Sequence, residues 1–78
     1  MATAFLLINT ELGSEKEVLD EIRKIDAVKE SYKTYGVYDI VAKVSADTMD
    51  KLKEIVTWTV RRVDKVRSTL TMIIIEGE

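Results

Sequence analysis

Apolar residues recur along this chain in two rhythms, one of period two and one near 3.6. Thr3–Asn9 (TAFLLIN) is a run of β-formers and predicts a first strand. Leu12 and Gly13 turn the chain, and Ser14 with Glu17 three residues on has the form of a capping box. Val18, Leu19, Ile22 and Ile25 follow at helical spacing, so a first helix is expected over 15–25. Val28–Tyr35 and Val37–Val44 alternate on either side of Gly36, which predicts a hairpin. Asp47 is placed to cap a second helix over about 48–62, with Met49, Leu52, Ile55, Val56, Thr59, Val60 and Val63 on its apolar face. Val66–Glu76 (VRSTLTMIIIE) is the last strand.

The order β-α-β-β-α-β is that of the ferredoxin-like split βαβ, an α+β fold with a four-stranded antiparallel sheet in strand order 4-1-3-2. A repeat supports it. IRKIDAVKES at 22–31 and VRRVDKVRST at 60–69 share the order apolar, basic, basic, apolar, Asp, any, Val, basic. Both fall where a helix ends and a strand begins, as two pseudo-symmetric halves require. Asp26 and Asp64 are expected in those turns, with carboxylates accepting backbone N–H groups. Basic residues at 23–24 and 61–62 suit the helix C-termini.

Right-handed crossovers put both helices on one face of the sheet. The other face of an isolated subunit should then be polar, yet strands one, three and four are apolar on both sides. Phe5, Leu7, Val37, Val41, Ile73 and Ile75 are the residues expected to form the surplus patch, with the Leu6 series of strand one as the alternative to Phe5 and Leu7. Such a patch is rarely left open to water. No residues remain to cover it, so a two-fold homodimer packed sheet on sheet is expected. Trp58 lies off the apolar face of helix two, either as an ordinary surface aromatic or as a second contact between dimers.

The chain has 78 residues, one domain spanning 1–78 by length, with a formal net charge of −2 and no Cys, His or Pro. Disulfides and thiolate metal sites are thereby excluded, and the commonest metal ligand and neutral-pH proton carrier is missing. No cofactor is expected. A slightly acidic chain makes a poor nucleic-acid binder, and no apolar run approaches a membrane span. The N-terminal stretch lacks the features of a signal peptide, so the cytoplasm is the expected location.

No nucleophile stands with a base at recognisable spacing, and the chain is not expected to be an enzyme. The informative stretch is TYGVYDIVAKV at 34–44. Asp39 is expected inside a strand, where Asp is disfavoured. Two readings stand: a solvated edge carboxylate bonded to a lysine such as Lys43, or a pocket-rim carboxylate for a ligand ammonium.

Over essentially its whole length the chain resembles the C-terminal effector domain, the RAM domain, of the Lrp/AsnC transcriptional regulators. The matching pieces are AFLLIN with ELGSEKE, IDAVKESYKTYGVYDIVAKV, and VRSTLTMIII. Gly36, Tyr38 and Asp39, then Val66, Thr69 and Thr71, are the core of the match. The resemblance implies the ferredoxin-like fold, sheet-to-sheet dimers, and octamer-like rings of dimers. It also implies small amino-acid effectors bound between dimers, with Tyr35, Gly36, Tyr38, Asp39, Thr69 and Thr71 as ligand-binding residues. Gly36 would let the backbone approach the ligand, and Asp39 would hold its ammonium. Asp-Ala and Asp-Lys stand at 26–27 and 64–65, where many members carry Pro-Gly. Full-length members also carry a helix-turn-helix for which these residues leave no room, so a stand-alone module acting on a full-length regulator is the expectation, without direct DNA binding. The rival readings are a dimeric α+β-barrel monooxygenase or isomerase, and a purely structural oligomerisation module.

Overall fold

The structure is a computed structural model that describes residues 1–75. Seven elements follow in order: β1 (Ala2–Thr10), α1 (Glu15–Arg23), β2 (Val28–Lys33), β3 (Ile40–Ala46), α2 (Met49–Glu54), a π-helical turn (Ile55–Val60) and β4 (Val66–Ile73). The sheet order is β2-β3-β1-β4, antiparallel throughout, which is the expected order read from the other edge. Glu76, the expected end of the last strand, lies outside the described residues.

Period-two alternation places the core. Ala4, Leu6 and Ile8 of β1 are fully buried, with Ile40, Ala42 and Val44 beside them on β3. Val18, Leu19 and Ile22 of α1 and Leu52, Val56 and Val60 of the second helical segment close over these residues. Each of the larger side chains contributes about 1.5–3 kcal/mol by leaving water. Both helical segments therefore cover the same face of the sheet.

Helix caps differ from the sequence expectation. The Ser14 hydroxyl makes no capping bond, and Glu17 turns away to pair with Lys65 at 3.0 Å. Thr48, not Asp47, caps α2: its backbone is extended and its Oγ1 accepts from Lys51 N at 3.1 Å. A single helix over 48–62 is not what forms, because Ile55–Val60 widens into a π-turn. Val, Ile and Thr dominate IVTWTV and carry slightly lower α-helix propensity than unbranched residues. The buried stripe then runs at every fourth residue, Leu52–Val56–Val60, while Met49 and Thr59 stay exposed. Trp58 is exposed, with the Arg62 guanidinium carbon 5.0 Å from its ring centroid, a surface cation–π pair.

The two halves repeat at the level of individual bonds. Val28 N donates to Ile25 O (3.0 Å) and Val66 N to Val63 O (3.2 Å). Ala27 O accepts from Ser45 N, and Lys65 O from Glu11 N, each at 2.9 Å. The Asp26 and Asp64 carboxylates accept no backbone N–H among the described residues, contrary to expectation; backbone bonds close both turns instead. Lys65 carries the strain of its junction, with φ 71°. A left-handed non-glycine costs about 1–2 kcal/mol, and the Glu17 pair and the Glu11 bond hold it there. That carboxylate also raises the Lys65 pKa, first through its hydrogen bond and then through its charge.

Each repeat also contains a β-bulge at the same position. Val28 pairs with Val44 and Glu30 with Lys43, leaving Lys29 unpaired. Thr10 pairs with Val66 and Asn9 with Ser68, leaving Arg67 unpaired. The extra residue reverses the alternation. Val66 and Ile73 accordingly pack on the same core, and Leu70, Met72 and Ile74 occupy the open face. Ile73 is thus corrected from the open patch to the helix side. Ile75 lies past the strand end, almost fully exposed, and Val37 sits in the loop before β3.

Thr48→Ala is expected to lower stability by about 1 kcal/mol through loss of the cap. A urea melt should show the midpoint falling with the slope unchanged.

Candidate functional site

The site expected at the hairpin is built on a loop rather than on a tight turn. β2 ends at Lys33 and β3 starts at Ile40, so Thr34–Asp39 bridges them. Its two ends are tied: Thr34 N donates to Asp39 O at 2.9 Å, and Thr34 Oγ1 to Tyr38 O at 2.6 Å. Gly36 has φ 151°, which side-chain-bearing residues rarely adopt, yet a Cβ there would meet nothing within 4 Å. Glycine is required here by backbone conformation, not by crowding.

Asp39 is the last residue of this loop, not a strand-interior residue. Its N–H donates to Ile8 O at 3.0 Å, extending the β1–β3 ladder by one bond. Its Oδ2 accepts from Thr10 N at 2.9 Å and from Thr10 Oγ1 at 3.3 Å. Thr10 is buried at the point where β1 leaves its regular register with β4. The carboxylate therefore satisfies a backbone donor on the β3 side of β1, left over where the β1–β3 pairing ends at Ile8 and Ile40, a role neither sequence reading contained. Lys43, the lysine considered for Asp39, pairs with Glu30 at 3.5 Å instead. Both bonds to Asp39 fall on Oδ2, and Oδ1 takes none among the described residues.

Asp39 is a wall between two clefts. One, about 540 Å³, is lined by Glu15, Lys33, Thr34, Tyr35, Gly36 and Asp39. The other, about 440 Å³, is lined by Asn9, Thr10, Val37, Asp39, Arg67 and Ser68. Tyr35 and Gly36 thus join Asp39 as expected, and Tyr35 is fully exposed. Glu15 adds a carboxylate whose Oε2 is buried without a partner. Position alone did not single it out, since acidic residues are ordinary in a first helical turn.

The β4 threonines stand apart from this group. Thr69 pairs with Ile8 and Thr71 with Leu6 on the helix side. Thr69 is therefore separated from the Asp39 loop by the width of β1, about 10 Å at two strand spacings. Thr71 lines a different cavity of about 200 Å³, with Leu52, Val56 and Ile73. Within one chain, the six ligand-binding residues implied by the resemblance do not converge.

A family model described as the Lrp/AsnC ligand binding domain matches residues 3–77. The chain belongs to this family. An uncharacterised HTH-type transcriptional regulator of Pyrococcus furiosus is 36% identical over 74 residues, covering 91% of the chain and 49% of that protein. The chain spans about half the length of the curated relatives it matches. The crystal structure of FFRP-DM1 superposes with a TM-score of 0.92 at 40% identity, covering 96% of this chain and all of that one. More distantly, the Neisseria meningitidis regulator NMB0573, solved as an L-Met complex, shares the fold at a TM-score of 0.82 and 16% identity, over 96% of this chain and 50% of that one. The relatives are transcriptional regulators, and no helix among the described residues of this Lrp/AsnC domain is long and apolar enough to cross a membrane.

Asp39→Ala should lower stability by about 1–3 kcal/mol, because it orphans the buried Thr10 N–H. Asp39→Asn, which keeps an oxygen for that N–H, should cost less, as read by denaturant melts of both variants.

Proposed function

We propose that this Lrp/AsnC domain is an amino-acid-responsive assembly module. It dimerises through the open face of its sheet and holds a small amino-acid effector at Asp39. The observation that carries the ligand reading is the state of the Asp39 carboxylate. Thr10 fixes it in place through Oδ2, while Oδ1 is left over at a cleft edge. A carboxylate already oriented by the fold loses little entropy on accepting an ammonium, and the charge-assisted bond is strong.

The sheet supports the assembly reading. Across the open face, Tyr32, Val41, Leu7 and Leu70 form one row, and Glu30, Lys43, Phe5 and Met72 the next. Leu70 and Met72 are 46% and 48% exposed although both lie within β4. The β2 side of the face is polar: Tyr32 OH donates to Glu30 at 2.9 Å, which raises the phenol's pKa, and Lys43 pairs with the same carboxylate. An apolar centre with a polar border is the anatomy of a protein–protein interface. A second copy would bring an identical face about 10 Å away. Rings of dimers, with the effector between them, would explain why the β4 threonines lie away from the hairpin: they would reach it from a neighbouring subunit. A ligand bridging two dimers would favour the ring by mass action. Co-assembly with a full-length regulator would then alter that regulator's response.

Calorimetric titration of the chain with each of the common L-amino acids, with mass followed by light scattering, tests this reading. One amino acid should bind and shift the mass distribution; stable oligomers that bind none would make the module purely structural. Asp39→Asn should lose at least tenfold in affinity while keeping the wild-type mass. Leu70→Asp should yield a folded monomer, and a wild-type dimer from that variant would move the interface elsewhere.

A further inference from the structure

The two bulges occupy equivalent places in the repeat, but their basic residues have different surroundings. Lys29 Nζ is satisfied within its own turn by Asp26 O at 3.0 Å. Arg67 makes no ion pair or side-chain hydrogen bond among the described residues, and it lines the 440 Å³ cleft opposite Asp39. Without the bulge, Arg67 would share the helix side with Thr69, Thr71 and Ile73; the extra residue turns it out of the sheet instead. The Thr10 N–H that orients Asp39 points the other way, toward β3, whose pairing with β1 stops at Ile8 and Ile40. The cleft's two charged groups are therefore set from the two sides of β1, Arg67 by the bulge and Asp39 by the end of the β1–β3 ladder.

The charges of the two clefts differ. The hairpin cleft carries two carboxylates, Glu15 and Asp39, against Lys33. The bulge cleft carries one carboxylate and one guanidinium, with the Asn9 amide and Ser68 hydroxyl as neutral partners. Asp39 and Arg67 are not within ion-pair distance of each other, so a ligand can lie between them. The cleft's volume is in the range of small-molecule sites.

We infer that the bulge cleft is the half of the effector site that reads the α-carboxylate, with Arg67 as its anchor. The ligand class is a free α-amino acid whose ammonium sits on Asp39 Oδ1 and whose carboxylate sits on the Arg67 guanidinium, with Ser68 and Asn9 donating alongside. Arg presents a planar fork that matches a carboxylate with two parallel hydrogen bonds, which Lys cannot. This inference rests on the proposed role of Asp39 as the ammonium site. It adds a residue that the sequence resemblance did not implicate, and it places the carboxylate on the β4 side of Asp39, away from Tyr35 and Gly36.

The test titrates wild type, Arg67→Gln and Arg67→Lys with the common L-amino acids and with their α-carboxamides, which keep the ammonium and remove the carboxylate charge. Arg67 is exposed, so the variants should fold, and circular dichroism checks that they do. For the amino acid that binds wild type best, Arg67→Gln should lose at least tenfold and Arg67→Lys less. The matching carboxamide should bind wild type weakly and lose little more in Arg67→Gln. An Arg67→Gln affinity within twofold of wild type, or an equal loss for acid and carboxamide, overturns the carboxylate role while leaving the Asp39 reading in place. Wild type that binds no amino acid at millimolar concentration overturns both together.

Discussion

Everything in this fold depends on β1 being apolar on both faces while its own subunit covers only one. β1 lies between β3 and β4, so its side chains form the centre of either face. Ala4, Leu6 and Ile8 are fully buried under the helices. Phe5 and Leu7, at the alternate positions, have strand neighbours beside them but no layer above. In a short chain a single helical layer accounts for the whole core, and little stability is in reserve. In the proposed dimer a second copy would cover the remaining face and would turn a marginal fold into a stable one.

The bulges are the second organising feature, and they connect packing to chemistry. A strand that must place Val66 in the core and then Thr69, Thr71 and Ile73 on the same side needs one residue of odd parity between them. Arg67 is that residue, and its counterpart Lys29 does the same for β2. On the opposite side of β1, the Thr10 N–H lies beyond the end of the pairing with β3, and Asp39 meets it with a carboxylate from the neighbouring loop. A charged group that is part of the fold's own hydrogen bonding is held in one place. Under the proposed reading its unused oxygen would offer a fixed acceptor to a ligand, so that a structural need and a binding function would share one side chain.

The repeat IRKIDAVKES/VRRVDKVRST is explained by these junctions. Its apolar positions end each helix on the core, its Val starts each strand, and its final basic residue is the bulge. Arg23 serves the first half further, bonding Ser31 Oγ at 3.1 Å and Ser31 O at 3.3 Å, which braces the edge strand β2 against α1.

By itself the sequence determined the element order and the core stripes of β3 and α1, because these follow from periodicity that side-chain chemistry imposes locally; the sheet order followed from the fold that this element order implies. The apolar second face was legible in the same way, as was Gly36, whose place between two alternating runs marks a chain reversal. What tertiary structure alone decided was the parity of β4, the partner of Asp39 and the separation of Thr69 and Thr71 from the hairpin. Each depends on register between strands distant in the chain: a bulge changes no residue's character, yet it exchanges the faces of every residue on one side of it. For the same reason, Ile73 and Met72 read alike in sequence, and only the pairing of Arg67 with nothing on β1 determines which of them meets the core.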